Sequence, residues 1–179
     1  RGALRLTNSV AFLFSTTNAL FLLLPVYLQQ GGNSPAQIGF VAGVIRISML
    51  LARPVAGRLL DRFGRRPVIT WGGVVMTVAI LSLFLFPRIG WPFLLLRVVQ
   101  GAATALFDSG LGTVVADLAP AAVRPRVFAL YTVWLTLPGG IMPAVGEALA
   151  RRIGYLPVLG ATAVIAAAAL VVFRRLPET

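Results

Sequence analysis

The 179 residues are 58% hydrophobic and only 12% charged, with a mean hydropathy of +0.90 and a formal charge of +11. A soluble domain carries about a quarter charged residues, so this is the composition of an integral membrane protein, whose positive charge belongs at lipid headgroups rather than on nucleic acid. With no Cys or His and five acids in all, disulfides, thiolate chemistry and the commonest zinc sites are excluded, and neither a metal nor a cofactor is expected.

About 20 apolar residues cross a bilayer as helix. Uncharged runs of that length lie within Leu6–Ile45, Pro67–Pro87, Val127–Gly146 and Ile153–Phe173, and two charge-interrupted windows bring the crossings to six. The chain begins at Arg1 without a methionine, as a piece of something longer would, and its first apolar run is too long for the core of a signal peptide.

The first helix is expected over about Leu6–Gln29, followed by an outer loop in the turn-forming stretch from Gln30 to Pro35. The second covers about Ala36–Leu60 and carries Arg46 and Arg53. Arg53 is within reach of the inner surface and reads as a topological charge, whereas the deeper Arg46 needs either Asp108 or a group outside this chain. Between this helix and the third lies Gly57-Arg-Leu-Leu-Asp61-Arg62-Phe-Gly64-Arg65-Arg66, which reads as a short charged loop.

The third helix is expected over about Arg66–Phe86, with a turn at Pro87–Gly90, and the fourth over Trp91–Leu118, long enough to tilt or protrude. After a loop at Pro120–Pro125, the fifth runs over about Arg126–Ala150 and the sixth over Tyr155–Phe173, ending at Arg174-Arg175. Tyr27, Trp91 and Tyr155 at outer ends, with Trp71 at an inner end, suit interfacial anchoring. Pro138, Gly139, Gly140, Pro143 and Gly146 in the fifth helix suit bending or close helix packing.

Arginines Arg1, Arg5, Arg53, Arg58, Arg62, Arg65, Arg66, Arg124, Arg126, Arg174 and Arg175 fall on one face, against Arg88, Arg151 and Arg152 on the other. That bias puts both termini in the cytoplasm. Leu59, Arg62, Gly64 and Pro67 recur as Leu149, Arg152, Gly154 and Pro157 at an offset of 90 residues. Three helices separate the copies, which makes them inverted repeats of about 1–89 and 90–179 within one all-α six-helix transmembrane bundle.

The same offset pairs Asn18 with Asp108, each at the middle of its helix. Inverted repeats hold their substrate and coupling sites at this depth. On the fourth helix, Arg97, Gln100, Thr104 and Asp108 share a face, with Arg97 and Asp108 about 16 Å apart along the axis, too far to pair. Asn18, Gln100 and Thr104 could be interhelical hydrogen-bond glue. Two charges on one membrane face instead ask for a polar cavity, and Asp108 is the one carboxylate near the membrane centre able to load and release a proton.

These residues resemble the major facilitator superfamily of secondary transporters. The Gly57–Arg66 stretch is similar to that family's signature loop between helices 2 and 3. Arg97-Val-Val-Gln100-Gly101 resembles its helix 4 motif, Asp117 with Arg124 and Arg126 resembles its helix 4–5 loop, and Leu176–Thr179 is similar to the end of its sixth helix. The resemblance implies one half of a twelve-helix fold in a cell membrane, a cytoplasmic gate at Gly57, Asp61, Arg62, Gly64, Arg65 and Arg66, and a role for Arg97 in proton coupling. It further implies a small-molecule substrate, a second six-helix half as partner, and a look closest to small bacterial efflux permeases. Of the family's helix 5 antiporter motif only Pro143 and Gly146 match, with Met142 and Glu147 at flanking glycine positions, so symport and uniport stand beside antiport. A truncated, non-transporting membrane interaction module is the reading from another class. An enzyme is not expected, since no nucleophile, metal cluster or phosphate loop is present.

Overall fold

A computed structural model describes residues 2–83, 85–86 and 88–175 of the chain. Among them the secondary structure is entirely helical: α1 (Gly2–Leu20), α2 (Leu24–Gln30), α3 (Pro35–Phe63), α4 (Arg65–Leu83), α5 (Trp91–Leu118), α6 (Arg124–Ile153) and α7 (Tyr155–Phe173). With α1 and α2 counted together, six spans are long and apolar enough to cross a membrane.

The first span is broken where one continuous helix was expected. Pro25 has no N–H to offer and its ring collides with the carbonyl four residues back, at Phe21. The chain tightens there into a 3₁₀ turn, Phe21–Leu23, and the Leu24 N–H takes the Phe21 carbonyl instead. α3 starts at Pro35 under a capping box: the Gln37 N–H donates to Ser34 Oγ at 3.3 Å and the Ser34 N–H donates to Gln37 Oε1 at 2.9 Å.

The charged stretch from Gly57 to Arg66 is not a loop. Residues up to Phe63 complete α3, Arg65 and Arg66 open α4, and Gly64 alone makes the turn. Its backbone, at φ 82 and ψ 170, lies where only glycine is at ease. Gly154 turns α6 into α7 in the same way, at φ 91 and ψ 159. Each glycine N–H donates to the carbonyl four residues back, Leu60 at 3.0 Å and Ala150 at 2.8 Å. The 90-residue offset read from side chains is therefore also an offset of backbone geometry, and α4 and α7 begin and end 90 residues apart.

Packing follows the same exchange. α1 lies against α6 and α7, α5 lies against α3 and α4, and α4 touches α7 across the middle. Each repeat thus lends its first span to the other two helices of its neighbour. Phe14 of α1 stacks on Phe107 of α5 at 4.4 Å between ring centroids, joining the repeats in one buried cluster with Ile69, Met76 and Ala166. Because lipid is as apolar as leucine, such contacts hold by close packing rather than by escape from water. α3 and α6 stand at the periphery, with 6% and 11% of their membrane windows buried, and expose Leu50, Leu51, Leu130 and Val133.

Candidate functional site

α5 winds Arg97, Gln100, Thr104 and Asp108 onto one face, and all four line a cavity of about 280 Å³ between α1, α3, α5 and α6. Asn18 enters from α1, so the five residues expected at a midplane site do converge. The wall between α3 and α5 is very thin. A Cβ on Gly101 would stand 2.6 Å from the Ile45 carbonyl oxygen, and one turn on, Ser48 Oγ donates to the Val98 carbonyl at 2.6 Å. This close approach brings Ile45, Arg46 and Met49 of α3 to the cavity.

Arg97 is 4% exposed, and its guanidinium has no carboxylate partner among the described residues. Its Nη1 donates to Gln100 Oε1 at 2.6 Å, and the charge lies over the rings of Phe21 and Phe93 at 4.9 and 5.9 Å from their centroids. Its Nε is buried with no hydrogen-bond partner among the described residues. Thr104 Oγ1 donates back to the Gln100 carbonyl at 2.8 Å, and Asn18 Nδ2 to the Phe14 carbonyl at 3.1 Å. Both are bonds within a helix rather than between helices, so neither residue serves as interhelical glue here. Ser15, which also lines the cavity, does bridge helices by donating to the Leu135 carbonyl of α6.

Asp108 pairs with Arg53, whose Nη2 stands 3.6 Å from Asp108 Oδ2. This corrects the reading of Arg53 as a purely topological charge. α3 and α5 run in the same direction and are pinned at Ser48 and Gly101, so Arg53 and Asp108 arrive at similar depth, about 8 and 10 Å beyond those pins. A guanidinium with a carboxylate at hand has no need to reach for the surface. Arg46 receives neither Asp108 nor any other ion-pair partner among the described residues, although it lines the cavity.

Tyr131 of α6 went unmarked in the sequence. It is 6% exposed and belongs to the buried cluster that holds Phe14 and Phe107. The signal that could have found it is position: Tyr27 and Tyr155 sit at helix ends, whereas Tyr131 lies inside a span.

At the Gly64 end, Arg65 Nε donates to Asp117 Oδ2 at 3.0 Å, tying α4 to α5, and Arg66 Nη2 donates to the Arg174 carbonyl at 3.1 Å. Arg62 lies over the Phe63 ring at 5.2 Å. Asp61, Arg124 and Arg126 are exposed and enter no ion pair among the described residues. Gly57 meets nothing within 4 Å of an added Cβ. The Leu176–Thr179 segment lies outside the described residues.

In α6, Pro138 is buried and Gly146 makes a close approach, since an added Cβ would stand 2.6 Å from Leu23 Cδ1. Gly139 and Gly140 do not, for an added Cβ would meet nothing within 4 Å at either. α6 continues as helix through Pro143. Glu147, at a flanking position of the antiporter-like stretch, is held by Arg151 Nε at 3.1 Å and by the Tyr155 hydroxyl at 2.8 and 2.9 Å.

The sequence profile of the Major Facilitator Superfamily matches residues 6–179. The chain belongs to that superfamily. It is 27% identical over 143 residues to the staphylopine export protein of Staphylococcus aureus, a match covering 79% of this chain and 35% of the relative. It is 23% identical over 152 residues to the quinolone resistance protein NorA of Staphylococcus aureus, covering 83% of this chain and 38% of NorA. The inward-open xylose transporter XylE from E. coli superposes with a TM-score of 0.81 at 17% identity, over 98% of this chain and 48% of XylE, a likeness of fold. The chain spans little more than a third of the length of these two curated relatives. It is a multi-pass membrane protein with the fold of one superfamily half.

Proposed function

We propose that this chain is half of a secondary active transporter that moves a small organic solute by alternating access, with efflux coupled to protons. The two repeats, about 1–89 and 90–179, act as one unit, and a second six-helix half completes the solute path. Both termini lie in the cytoplasm and the protein resides in the cell membrane, as the arginine bias favours. The observation that carries this reading is the convergence of Asn18, Arg97, Gln100, Thr104 and Asp108 on one cavity within a superfamily bundle. The export and resistance named for two relatives support the outward direction.

Asp108 is the proton carrier. Its carboxylate has one ion-pair partner among the described residues, Arg53, with a side chain 55% exposed. Protonation of Asp108 would release Arg53, and loss of the proton would draw it back, so the proton and the α3–α5 contact exchange places. Asp61, exposed and unpaired among the described residues, and the Arg65–Asp117 tie form the gate, with Asp61 turned to the second half.

The test is flux in proteoliposomes holding this chain with its complementary half, driven by an imposed pH gradient. Asp108→Asn should abolish pH-driven flux while leaving exchange at equal pH. Unchanged pH-driven flux would reject Asp108 as the carrier. Flux indifferent to the gradient in the unmutated protein would favour uniport, and no flux from the pair would favour an interaction module.

A further inference from the structure

The charges around the cavity do not balance. Among the described residues Asp108 is the one carboxylate lining it and is already paired with Arg53, whereas Arg46 and Arg97 line it with no carboxylate of their own. Arg97 is almost wholly hidden from solvent, and its Nε lacks any hydrogen-bond partner among the described residues. A buried donor on a cation is costly to leave unmade, and a membrane site hides no such charge without a use.

The two arginines are also near one another in height. With Ser48 level with Gly101, Arg46 lies two residues, about 3 Å, and Arg97 one turn, about 6 Å, from that level toward the same end of the cavity. Asp108 lies about 10 Å from Gly101 in the other direction. The cavity is therefore polarised, with bare positive charge at the Arg97 end and a neutralised pair at the Asp108 end. Between them Phe14, Phe21, Leu22 and Met49 supply apolar wall.

We infer that the solute is an organic anion, held with its carboxylate or equivalent acid group between Arg46 and Arg97 and its apolar body against Phe21 and Met49. The inference rests on the cavity being the solute site. Gln100 holds Arg97 Nη1 at 2.6 Å and so fixes the guanidinium plane, leaving other N–H groups of its fork for the acid. Asn18, which gives one Nδ2 hydrogen to the Phe14 carbonyl, keeps its second N–H and its Oδ1 for a hydroxyl or amide on the same solute.

The experiment is equilibrium binding of radiolabelled benzoate to the purified chain together with its complementary half in lipid nanodiscs, with benzamide and benzylammonium as neutral and cationic competitors. Benzoate should bind and neither competitor should displace it. Arg46→Gln, at an exposed position, should weaken benzoate about tenfold or more, the scale of a charge-assisted hydrogen bond. Arg97→Gln should do the same, and if that buried change prevents folding, the Arg46 variant decides alone. Asp108→Asn removes the carboxylate that lines the cavity and frees Arg53, so it should bind benzoate more tightly than the unmutated chain. That outcome, alongside lost pH-driven flux, separates the solute class from the coupling mechanism. No benzoate binding, displacement by benzylammonium, or an Arg46→Gln variant with unchanged affinity would overturn the inference whatever the flux assay shows.

Discussion

Gly64 and Gly154 end their helices with nearly the same backbone angles, φ 82 against 91, yet the side chains around them are tied to different parts of the molecule. At the Gly64 turn the ties run outward: Arg65 to Asp117 on α5 and Arg66 to the Arg174 carbonyl beyond α7, so the turn is fastened to the other repeat. At the Gly154 turn they run inward. Glu147 and Arg151 of α6 meet Tyr155 at the start of α7, all within one repeat. The two turns share what the backbone requires and differ in the charged side chains around it. One end of the bundle became a clasp between repeats and the other a self-contained corner.

The largest effect should come from the shared feature. Gly64→Ala and Gly154→Ala each place a Cβ on a backbone that essentially only glycine adopts, and each should lower stability by about 1–3 kcal/mol. Denaturant unfolding in detergent micelles reads this, and a large loss at one glycine with none at the other would break the equivalence. A smaller effect belongs to the clasp. Asp117→Asn removes an ion pair whose side chains are 38% exposed, and should cost no more than about 1 kcal/mol at low salt, fading as salt rises. A loss that persists at high salt would mean that Asp117 acts through something other than Arg65. The smallest concerns independence. A double-mutant cycle of Asp117→Asn with Tyr155→Phe should show no coupling beyond about 0.5 kcal/mol, since the two groups share no partner. Measurable coupling would show that the two ends communicate through the bundle.

Much of the fold could be read in the sequence because spans and repeats are long-range regularities. Uncharged windows, the arginine bias and the Leu59–Pro67 echo at Leu149–Pro157 need no knowledge of packing. α5 and α7 fell on their expected bounds, Trp91–Leu118 and Tyr155–Phe173, since turn residues or a glycine marks their starts. The charged stretch misled because glycine and arginine density suggests a loop, whereas one positive-φ glycine suffices to reverse the chain and leaves the rest helical. In the site, the face shared by Arg97, Gln100, Thr104 and Asp108 was legible because it is a property of one helix. The partner of Asp108 was not. It depends on the relative register of α3 and α5, fixed by the contact of Gly101 with Ile45 and Ser48, and no periodicity within either helix encodes that. Tyr131 was hidden for the same reason, being brought into the buried cluster by the packing of α6.

The 3₁₀ turn at Phe21–Leu23 gives the first spans of the two repeats unequal form. The corresponding stretch of α5 passes Val115 where the first span has Pro25, and it runs unbroken from end to end. Phe21, whose ring covers Arg97, sits in the joint itself, and Leu23 beside it rests on Gly146 of α6. A tilt of α2 about this joint would slide an aromatic shutter off the guanidinium without bending any of the long helices. A tilt of α6 would press on the same joint through Leu23, so the shutter answers to a helix that carries no cavity charge.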